Sequence, residues 1–142
     1  MKKSYLLIIV VLLIILSVSL VACGKFNATY TGLRKSCITS NTDYKLKLEC
    51  EYFKGSAVYR ITTDEDHTDA IHYEIEVKEM SLDLKIYDVE DNEVLSKSFT
   101  KSDTKYIGDI VVGYGKCRIE VTANEFNGSY YFNWEEAYNY PE

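Results

Sequence analysis

Hydrophobic and polar residues alternate along most of the chain beyond residue 43. In the first run, residues 44–52, Tyr, Leu and Cys alternate with Lys and Glu, and the alternation resumes at residues 57–61 after Gly55. Further runs with the same period occupy residues 71–77, 82–86, 107–112, 117–123 and 130–134. A period of two is typical of strands buried on one face, and hence of antiparallel sheets. The pattern predicts an all-β fold, and no stretch after residue 23 has the spacing of a long helix.

Turn-forming residues separate these runs and predict how they pair. Asp91-Asn92 predicts a hairpin between residues 82–89 and 93–100. Asn127-Gly128 predicts a turn before the final strand. About eight strands with turns between them indicate a single antiparallel β-sandwich.

The last two runs resemble the closing strands of secreted jelly-roll-like β-sandwiches. The residues that carry the resemblance are Gly113-Tyr114-Gly115-Lys116-Cys117-Arg118-Ile119-Glu120-Val121 and Gly128-Ser129-Tyr130-Tyr131-Phe132. Pre-peptidase C-terminal domains and several carbohydrate-binding modules end similarly. The resemblance implies a jelly-roll-like sandwich that serves as an accessory or binding module without catalytic activity, and it transfers no binding residue to this chain.

The N-terminal residues have the composition of a secretory signal. Lys2 and Lys3 precede an apolar stretch of mostly Leu, Ile and Val from Tyr5 to Leu20. An uncleaved membrane helix is the alternative, although the 18 residues from Tyr5 to Ala22 are at the short end of what crosses a bilayer. The residues at the end of the stretch distinguish the two interpretations.

Leu20-Val21-Ala22-Cys23 resembles the lipobox of bacterial lipoproteins. The resemblance implies that the Cys23 thiol is diacylated and that signal peptidase II cuts between Ala22 and Cys23. Residues 1–22 are then a signal helix that is removed. Because two acyl chains hold a protein stably on a membrane, we expect a lipid-anchored protein on the extracytoplasmic face of the cell membrane.

The chain therefore divides into a signal peptide (1–22), a lipidated N-terminus with a tether that leads into a first strand (23–41), and the β-sandwich domain (42–142). The full chain has a net charge of −6, but without Lys2 and Lys3 it carries 14 basic and 22 acidic residues, a net charge of −8. Nucleic-acid affinity depends on clustered Lys and Arg that contact phosphates. We therefore expect no nucleic-acid partner.

Three cysteines follow Cys23, and the sequence leaves their pairing open. Cys37 and Cys50 would face each other if their segments form a hairpin that turns near residues 41–43, whereas Cys50 and Cys117 could meet inside a core. Each lies in a run of apolar alternation, so the favoured interpretation is three small buried hydrophobic residues. No pair has the Cys-x-x-Cys spacing of a redox or zinc site.

The most acidic segment is Asp64-Glu65-Asp66-His67-Thr68-Asp69. Asp64, Asp66 and Asp69 are weak candidates for the oxygen ligands of Ca²⁺ or a transition metal. The segment lacks the Gly of the EF-hand pattern, and a solvated loop between two strands explains it more simply. We therefore expect no metal and no cofactor.

Aromatic residues gather late in the chain and supply the second candidate site. Exposed aromatic rings stack against sugars or anchor protein interfaces. Alternation places Tyr130, Phe132 and Trp134 on one face, which we expect to be core, and Tyr131 on the other. The candidates for ligand binding are therefore Tyr131, Tyr138 and Tyr140.

No residue pattern in the sequence selects a catalytic site. Cys50 or Cys117 could pair with His72, yet His72 alternates onto the polar face and both cysteines onto the apolar face. No Gly-x-Ser-x-Gly, His-Glu-x-x-His or phosphate-loop motif occurs. We therefore expect no enzymatic activity.

These features together predict a membrane-anchored cell-envelope lipoprotein with a non-catalytic binding or structural domain. Two alternatives stay open: a carbohydrate- or cell-wall-binding module, and an accessory subunit of a transporter or secreted enzyme. Sugar binding predicts a row of exposed aromatic side chains on one sheet face, whereas protein binding predicts a contiguous exposed apolar patch.

Overall fold

The computed structural model describes residues 26–135, which form six β-strands and no helix. The strands are β1 (Phe26–Asn41), β2 (Lys45–Thr63), β3 (Ala70–Tyr87), β4 (Glu93–Thr100), β5 (Tyr106–Val111) and β6 (Gly115–Asn133). Every pairing between them is antiparallel, which confirms the all-β antiparallel prediction. Within residues 26–135 no helix is long and apolar enough to cross a membrane. The signal helix predicted for residues 1–22 and the lipid site at Cys23 lie outside the described residues.

The six strands form one continuous sheet in the order β1-β2-β6-β3-β4, with β5 beside β3. β3 pairs with β6 along almost its whole length on one side. On its other side it pairs with β5 through residues 70–75 and with β4 through residues 81–87. The two halves of β3 therefore belong to different parts of the sheet.

The three central strands bend sharply at their middles. In β2 the buried positions are even-numbered up to Cys50 and odd-numbered from Phe53 onward, and the register with β6 shifts between these residues. The buried positions of β3 and β6 change phase in the same way, with register shifts between Val77 and Ser81. Such bulges let a strand pass from one layer of a sandwich to the other. We call the bend, formed by residues 51–54, 78–80 and 124–127, the fold corner.

The bent sheet folds over itself into two layers. The first layer contains β5 together with residues 33–41, 45–50, 70–77 and 128–133. The second layer contains β4 together with residues 26–32, 55–63, 81–87 and 115–123. The end of the sandwich opposite the fold corner, where β1 begins, is called the open end below.

The core lies between the two layers and is rich in aromatic rings. Tyr130 of the first layer hydrogen-bonds through its hydroxyl group to the hydroxyl of Tyr59 in the second layer, and both side chains are fully buried. The rings of Tyr59 and Phe132 lie 6.3 Å apart across the same interface. Tyr130, Phe132 and Trp134 are buried, as predicted from the alternation.

The number of strands differs from the sequence prediction. The runs at residues 44–52 and 57–61 are two halves of β2, because the break before Gly55 is the bend at the fold corner and not a turn. The predicted turn at Asn127-Gly128 is also wrong, since both residues lie inside β6. At Gly128, with φ of 154°, a Cβ atom would lie 2.0 Å from the carbonyl oxygen of Glu76, so the close approach of β3 excludes a side chain.

The structure also tests the predicted hairpin at Asp91-Asn92 and the predicted tether before residue 42. The hairpin around Asp91-Asn92 is confirmed, since residues 81–87 of β3 pair with β4. The segment before residue 42 is a strand from Phe26 onward, where the sequence predicted a tether leading into one. The domain's first strand therefore starts three residues after Cys23.

The cysteines divide between a disulfide and a buried thiol. Cys37 and Cys50 are directly opposite each other on β1 and β2 and form a disulfide, so the favoured prediction of a buried thiol is wrong for both. The hairpin that the alternative interpretation required is present, because β1 and β2 are joined by the turn at residues 42–44. Cys117 is a buried thiol, as predicted.

Candidate ligand-binding site

The outer face of the first layer carries a cleft of about 300 Å³ next to Tyr131. This volume lies at the lower end of the range of ligand pockets, about 300–1,000 Å³. Its lining is almost entirely polar and comes from β2, β3, β6 and the loop before β5. The lining residues are Lys47, Glu49, Glu74, Glu76, Lys78, Lys105, Ser129 and Tyr131.

Two cross-strand rows build this cleft. In one row Tyr131 of β6 lies between Lys47 of β2 and Glu74 of β3. In the next row Ser129 of β6 lies between Glu49 and Glu76. Because neighbouring strands are spaced by 4.7–4.9 Å, the two glutamates of this row are separated by about 10 Å of sheet with a small side chain between them. The floor of the cleft is therefore Ser129, and larger side chains stand around it.

Tyr131 faces the cleft because of its position in β6. Tyr130 and Phe132 on either side point into the core and are fully buried. Side chains alternate between the two faces of a strand, so Tyr131 points outward, where it is half-buried among its neighbours. The ring therefore lies on the outer face, as the alternation of residues 130–134 predicts.

The carboxylates around Tyr131 differ in how they are paired. Glu74 lies 3.6 Å from the Lys105 ammonium group and 3.4 Å from Nε2 of His72. Glu49 and Glu76 have no Lys, Arg or His within ion-pairing distance among residues 26–135. These two carboxylates retain their acceptor oxygens for a ligand.

His72 supports the end of this face but does not face the cleft. Its side chain is buried although it lies on the outer side of β3, because Asp109 of β5 covers it at 2.8 Å from Nδ1. The side chain of His72 points to the outer face of β3, as the alternation predicted. It is nevertheless buried there, because the neighbouring strand β5 covers it. The imidazole therefore links β3 to β5 through an ion pair or hydrogen bond with Asp109.

The predicted row of exposed aromatic side chains is not found on β6. Of its late aromatic residues, Phe126, Tyr130 and Phe132 are fully buried, and Trp134 just beyond the strand is buried too. Tyr131 is the ring that β6 presents on its outer face within the described residues. The other two candidates, Tyr138 and Tyr140, lie outside the described residues, as do Ala22 and Cys23.

The acidic loop between β2 and β3 does not gather its carboxylates. Asp64 is occupied by Nδ1 of His67 at 2.5 Å, and the ring of His67 stacks on Tyr44 at 3.9 Å. Asp69 contributes its backbone carbonyl, which accepts hydrogen bonds from the N–H groups of Val112 and Gly113. Within residues 26–135 no group of three or more His, Cys, Asp or Glu side chains is arranged to hold a metal ion, and Asp66 belongs to no such group.

The cysteines do not provide a nucleophile within the described residues. Cys50 is in the disulfide. Burial, with a smaller contribution from the charge of Asp88, raises the pKa of the Cys117 thiol to about 12, so it is protonated at neutral pH. A protonated thiol is a poor nucleophile.

The exposed apolar side chains are dispersed over the domain. Leu33 and Ile38 lie on the edge strand β1, and Met80 lies at the fold corner. The others lie on β5 or at the open end: Ile107, Val111, Val89 and Tyr114. No single sheet face collects these described side chains as the protein-binding alternative predicted.

Comparison with known proteins finds similarity at the level of solved structures. No protein-family model matches the chain, and no curated protein is similar to it in sequence. A family 29 carbohydrate-binding module mutant complexed with mannohexaose has 12% identity and a TM-score of 0.38, over 74% of this chain and 77% of that chain. A mutant complexed with cellulohexaose has 12% identity and a TM-score of 0.38, over 78% and 89%. A further family 29 module has 15% identity and a TM-score of 0.38, over 76% and 86%.

The glutamates, lysines and serine of the cleft were not singled out by the sequence. In the sequence, most of these residues are recognisable only as polar positions within three alternating runs. Which of these positions become neighbours depends on the strand order β2-β6-β3, which joins residues more than 50 positions apart.

Proposed function

We propose that this protein is a non-catalytic carbohydrate-binding lipoprotein, anchored at the extracytoplasmic face of the cell membrane. The observation that carries the binding part is the cleft in which the ring of Tyr131 lies next to Ser129, and Ser129 lies between Glu49 and Glu76, which have no ion-pair partner among residues 26–135. An aromatic face with a few polar groups that fix orientation is the usual arrangement of a small-ligand site.

The two kinds of group would contact different parts of a sugar. The ring of Tyr131 offers an apolar surface for the C–H face of a pyranose, while its hydroxyl group can donate or accept. Glu49 and Glu76 are hydrogen-bond acceptors only, and each can accept from two neighbouring sugar hydroxyls. Bonds to charged acceptors are stronger than neutral ones, so they contribute orientation as well as affinity. The small Ser129 leaves space for the sugar ring between them.

The sugar-binding proposal is tested by a glycan array with the detergent-solubilised full chain, followed by titration calorimetry with the best array ligand. Tyr131→Ala removes the stacking surface and should weaken binding about tenfold, since aromatic contacts contribute about 0.5–1.5 kcal/mol beyond their area. Tyr114→Ala is the matched control, because Tyr114 is exposed but lies at the open end, directly before β6.

The control variant should bind the glycan as the wild-type protein does. Glu76→Gln, which keeps the shape of the side chain but removes its charge, should weaken glycan binding. If no glycan retains the wild-type protein, or if the two tyrosine variants bind equally well, the cleft is not a sugar site.

The anchoring part of the proposal rests on the resemblance of residues 20–23 to a lipobox. Protein extracted from bacterial membranes should have an intact mass that corresponds to a chain beginning at Cys23 with lipid attached. Cys23→Ala should prevent lipidation and leave residues 1–22 attached to the rest of the chain. A mature protein that starts elsewhere, or that lacks lipid on Cys23, would contradict the anchor.

A further inference from the structure

Three basic side chains lie together on the outer face of the second layer, at the open end. Arg60 of β2 is directly opposite Arg118 of β6, and Lys116 lies one pleat further along the same face of β6. Like charges opposite each other on a sheet are destabilising. In a chain whose residues 23–142 carry a net charge of −8, a local group of three basic side chains is a surface that can attract an anionic partner.

Among residues 26–135, one of the three cations has carboxylate partners and the other two have none. Arg118 lies 3.2 Å from Asp91 and 3.0 Å from Glu120, and its guanidinium group stacks at 4.0 Å over the ring of Tyr87. Arg60 and Lys116 are exposed and have no carboxylate within ion-pairing distance among residues 26–135.

A cavity of about 330 Å³ lies against this cluster and contains two acidic residues as well. One of them, Asp91, pairs with Arg118. The other, Asp88, is turned toward its own hairpin turn, where it accepts hydrogen bonds from the backbone N–H groups of Glu90 and Asn92. Neither acid therefore neutralises Arg60 or Lys116, whose side chains line the cavity without an ion-pair partner in the part of the chain that the structure describes.

The start of β1 brings the lipid site close to this cluster. Asn27 is directly opposite Arg60 and lines the same cavity. Three peptide units separate Cys23 from Phe26, and consecutive Cα atoms are 3.8 Å apart, so the Cα atoms of these two residues cannot be more than about 11 Å apart. A lipid on Cys23 would hold this end of the second layer within reach of the headgroups.

An apolar side chain lines the cavity together with the basic ones, and an exposed tyrosine lies close to Lys116 along the chain. Val89 lines the cavity and is 37% exposed, and Tyr114, two residues before Lys116, is 53% exposed. Tyrosine rings and basic side chains together are typical of surfaces at the membrane–water interface. The acidic loop at residues 64–69 lies at the same open end, since it follows Thr63, which is opposite Gly115, and the carbonyl of Asp69 accepts hydrogen bonds from Val112 and Gly113. It connects β2 to β3 and is not part of the outer sheet face that carries Arg60 and Lys116.

We propose that Arg60, Lys116 and Tyr114 form a surface that docks the domain onto anionic phospholipid headgroups of the membrane that holds Cys23. This inference rests on the lipid anchor of the proposed function. Docking through the second layer turns the outer face of the first layer, with the Tyr131 cleft, away from the membrane. The domain would then present its ligand site to the space outside the cell membrane.

The test uses the lipidated full chain, whose lipid is first verified by intact mass, in vesicles of phosphatidylcholine with or without phosphatidylglycerol. Amine acylation followed by mass spectrometry reports the accessibility of Lys116, with exposed Lys101 near the fold corner as the internal reference. Acylation of Lys116 relative to Lys101 should be slower on vesicles that contain phosphatidylglycerol. Arg60→Glu should lower the docking equilibrium at least about fivefold, because each basic residue near an anionic surface contributes about 1 kcal/mol.

Lys54→Glu is the matched control, since it makes the same change of charge at the fold corner, where Lys54 is exposed. It should leave the slow acylation of Lys116 unchanged. Lipidated protein with equal acylation of Lys116 on both kinds of vesicle overturns the docking surface but leaves the anchor and the sugar site intact. If soluble glycerol phosphate slows the acylation of Lys116 in detergent as much as phosphatidylglycerol vesicles do, the cluster binds a free anion, and membrane docking is overturned. A mass without lipid on Cys23 overturns the anchor itself.

Discussion

At the scale of single residues, burial decides the chemistry of Cys117. Its side chain lies in the core with only 5% of its surface exposed, and the cost of placing a charge there raises the thiol pKa from its ordinary value of 9.0 to about 12. In the unfolded chain the thiol is solvated and ionises near its ordinary value. The folded state therefore binds a proton more tightly than the unfolded state in the interval between these two values.

This difference predicts that stability falls as pH rises through the interval. The contribution of Cys117 is fully present below about pH 9 and is lost at up to about 1.4 kcal/mol per pH unit above it. Urea unfolding of the wild-type protein and of Cys117→Ala over this range measures it. The variant should have a shallower loss of stability with pH, because alanine does not titrate.

The cavity left by Cys117→Ala also lowers stability, so the slope with pH and not the absolute free energy is the decisive quantity. Val121→Ala, which removes a fully buried side chain from the same face of β6, should lower stability by a similar amount at every pH without changing the slope. An identical slope in wild type and Cys117→Ala would mean that the buried thiol does not contribute.

The same reasoning applies to two tyrosines in the core. Desolvation is the largest cause that raises the pKa of Tyr59, followed by the charge and hydrogen bond of Tyr130. Burial also raises the pKa of Tyr130. Both phenols stay protonated in the folded protein where they would ionise in the unfolded chain, so they add to the loss of stability above about pH 10.

At the scale of the strand, the second half of β1 depends on few contacts. Most side chains from Leu33 to Asn41 are exposed, and the strand is at the edge of the sheet. The disulfide between Cys37 and Cys50 ties this half to β2 with 13 residues of sequence separation. The covalent link compensates for the small amount of apolar surface that this half of the strand buries.

Removal of the disulfide is therefore expected to loosen the C-terminal half of β1 from β2. The double variant Cys37→Ala/Cys50→Ala should be less stable by about 3 kcal/mol, the effect of closing a loop of this length in the unfolded state. Urea denaturation measures the loss, and hydrogen exchange should rise in residues 33–41 more than in residues 26–32. Wild-type protein treated with a reductant is the control and should show the same loss, whereas an unchanged unfolding midpoint would contradict this role.

The bends in the strands show what a break in alternation can mean. The alternation of hydrophobic and polar residues stops near Gly55, and when it resumes the hydrophobic residues are at odd-numbered and not even-numbered positions. A turn between two strands would interrupt the alternation in the same way. The structure forms a bend because Gly55 is opposite Gly32 of β1, and a Cβ on either residue would clash with the backbone of the other strand. Glycine permits a close approach that alternation cannot distinguish from a chain reversal.

At the scale of the whole molecule, the two layers present two different outer faces. The first carries a cleft with an aromatic ring and two carboxylates, and the second carries basic side chains next to the start of β1; within residues 26–135 these carboxylates and two of the basic side chains have no ion-pair partner. The strands that build both faces are the same, because β2, β3 and β6 each pass through both layers. A single folded sheet therefore holds the two surfaces in a fixed relation, pointing in opposite directions.

The sequence by itself determined the class of fold and the inward or outward direction of most side chains. The alternation predicted the antiparallel sheet, the core positions of Tyr130 and Phe132, and the outward direction of Tyr131. These properties follow from the local geometry of a strand, in which successive side chains point to opposite faces, so no knowledge of the partner strand is needed.

Only the tertiary structure decided which of these positions become neighbours. The cleft brings Glu49, Ser129 and Glu76 into one row, and the basic cluster joins Arg60 to Arg118, all through pairings between distant segments. The choice of the Cys37–Cys50 disulfide likewise depended on the register of β1 and β2. Strand order and register arise from packing of the whole core, which a pattern with a period of two leaves undetermined.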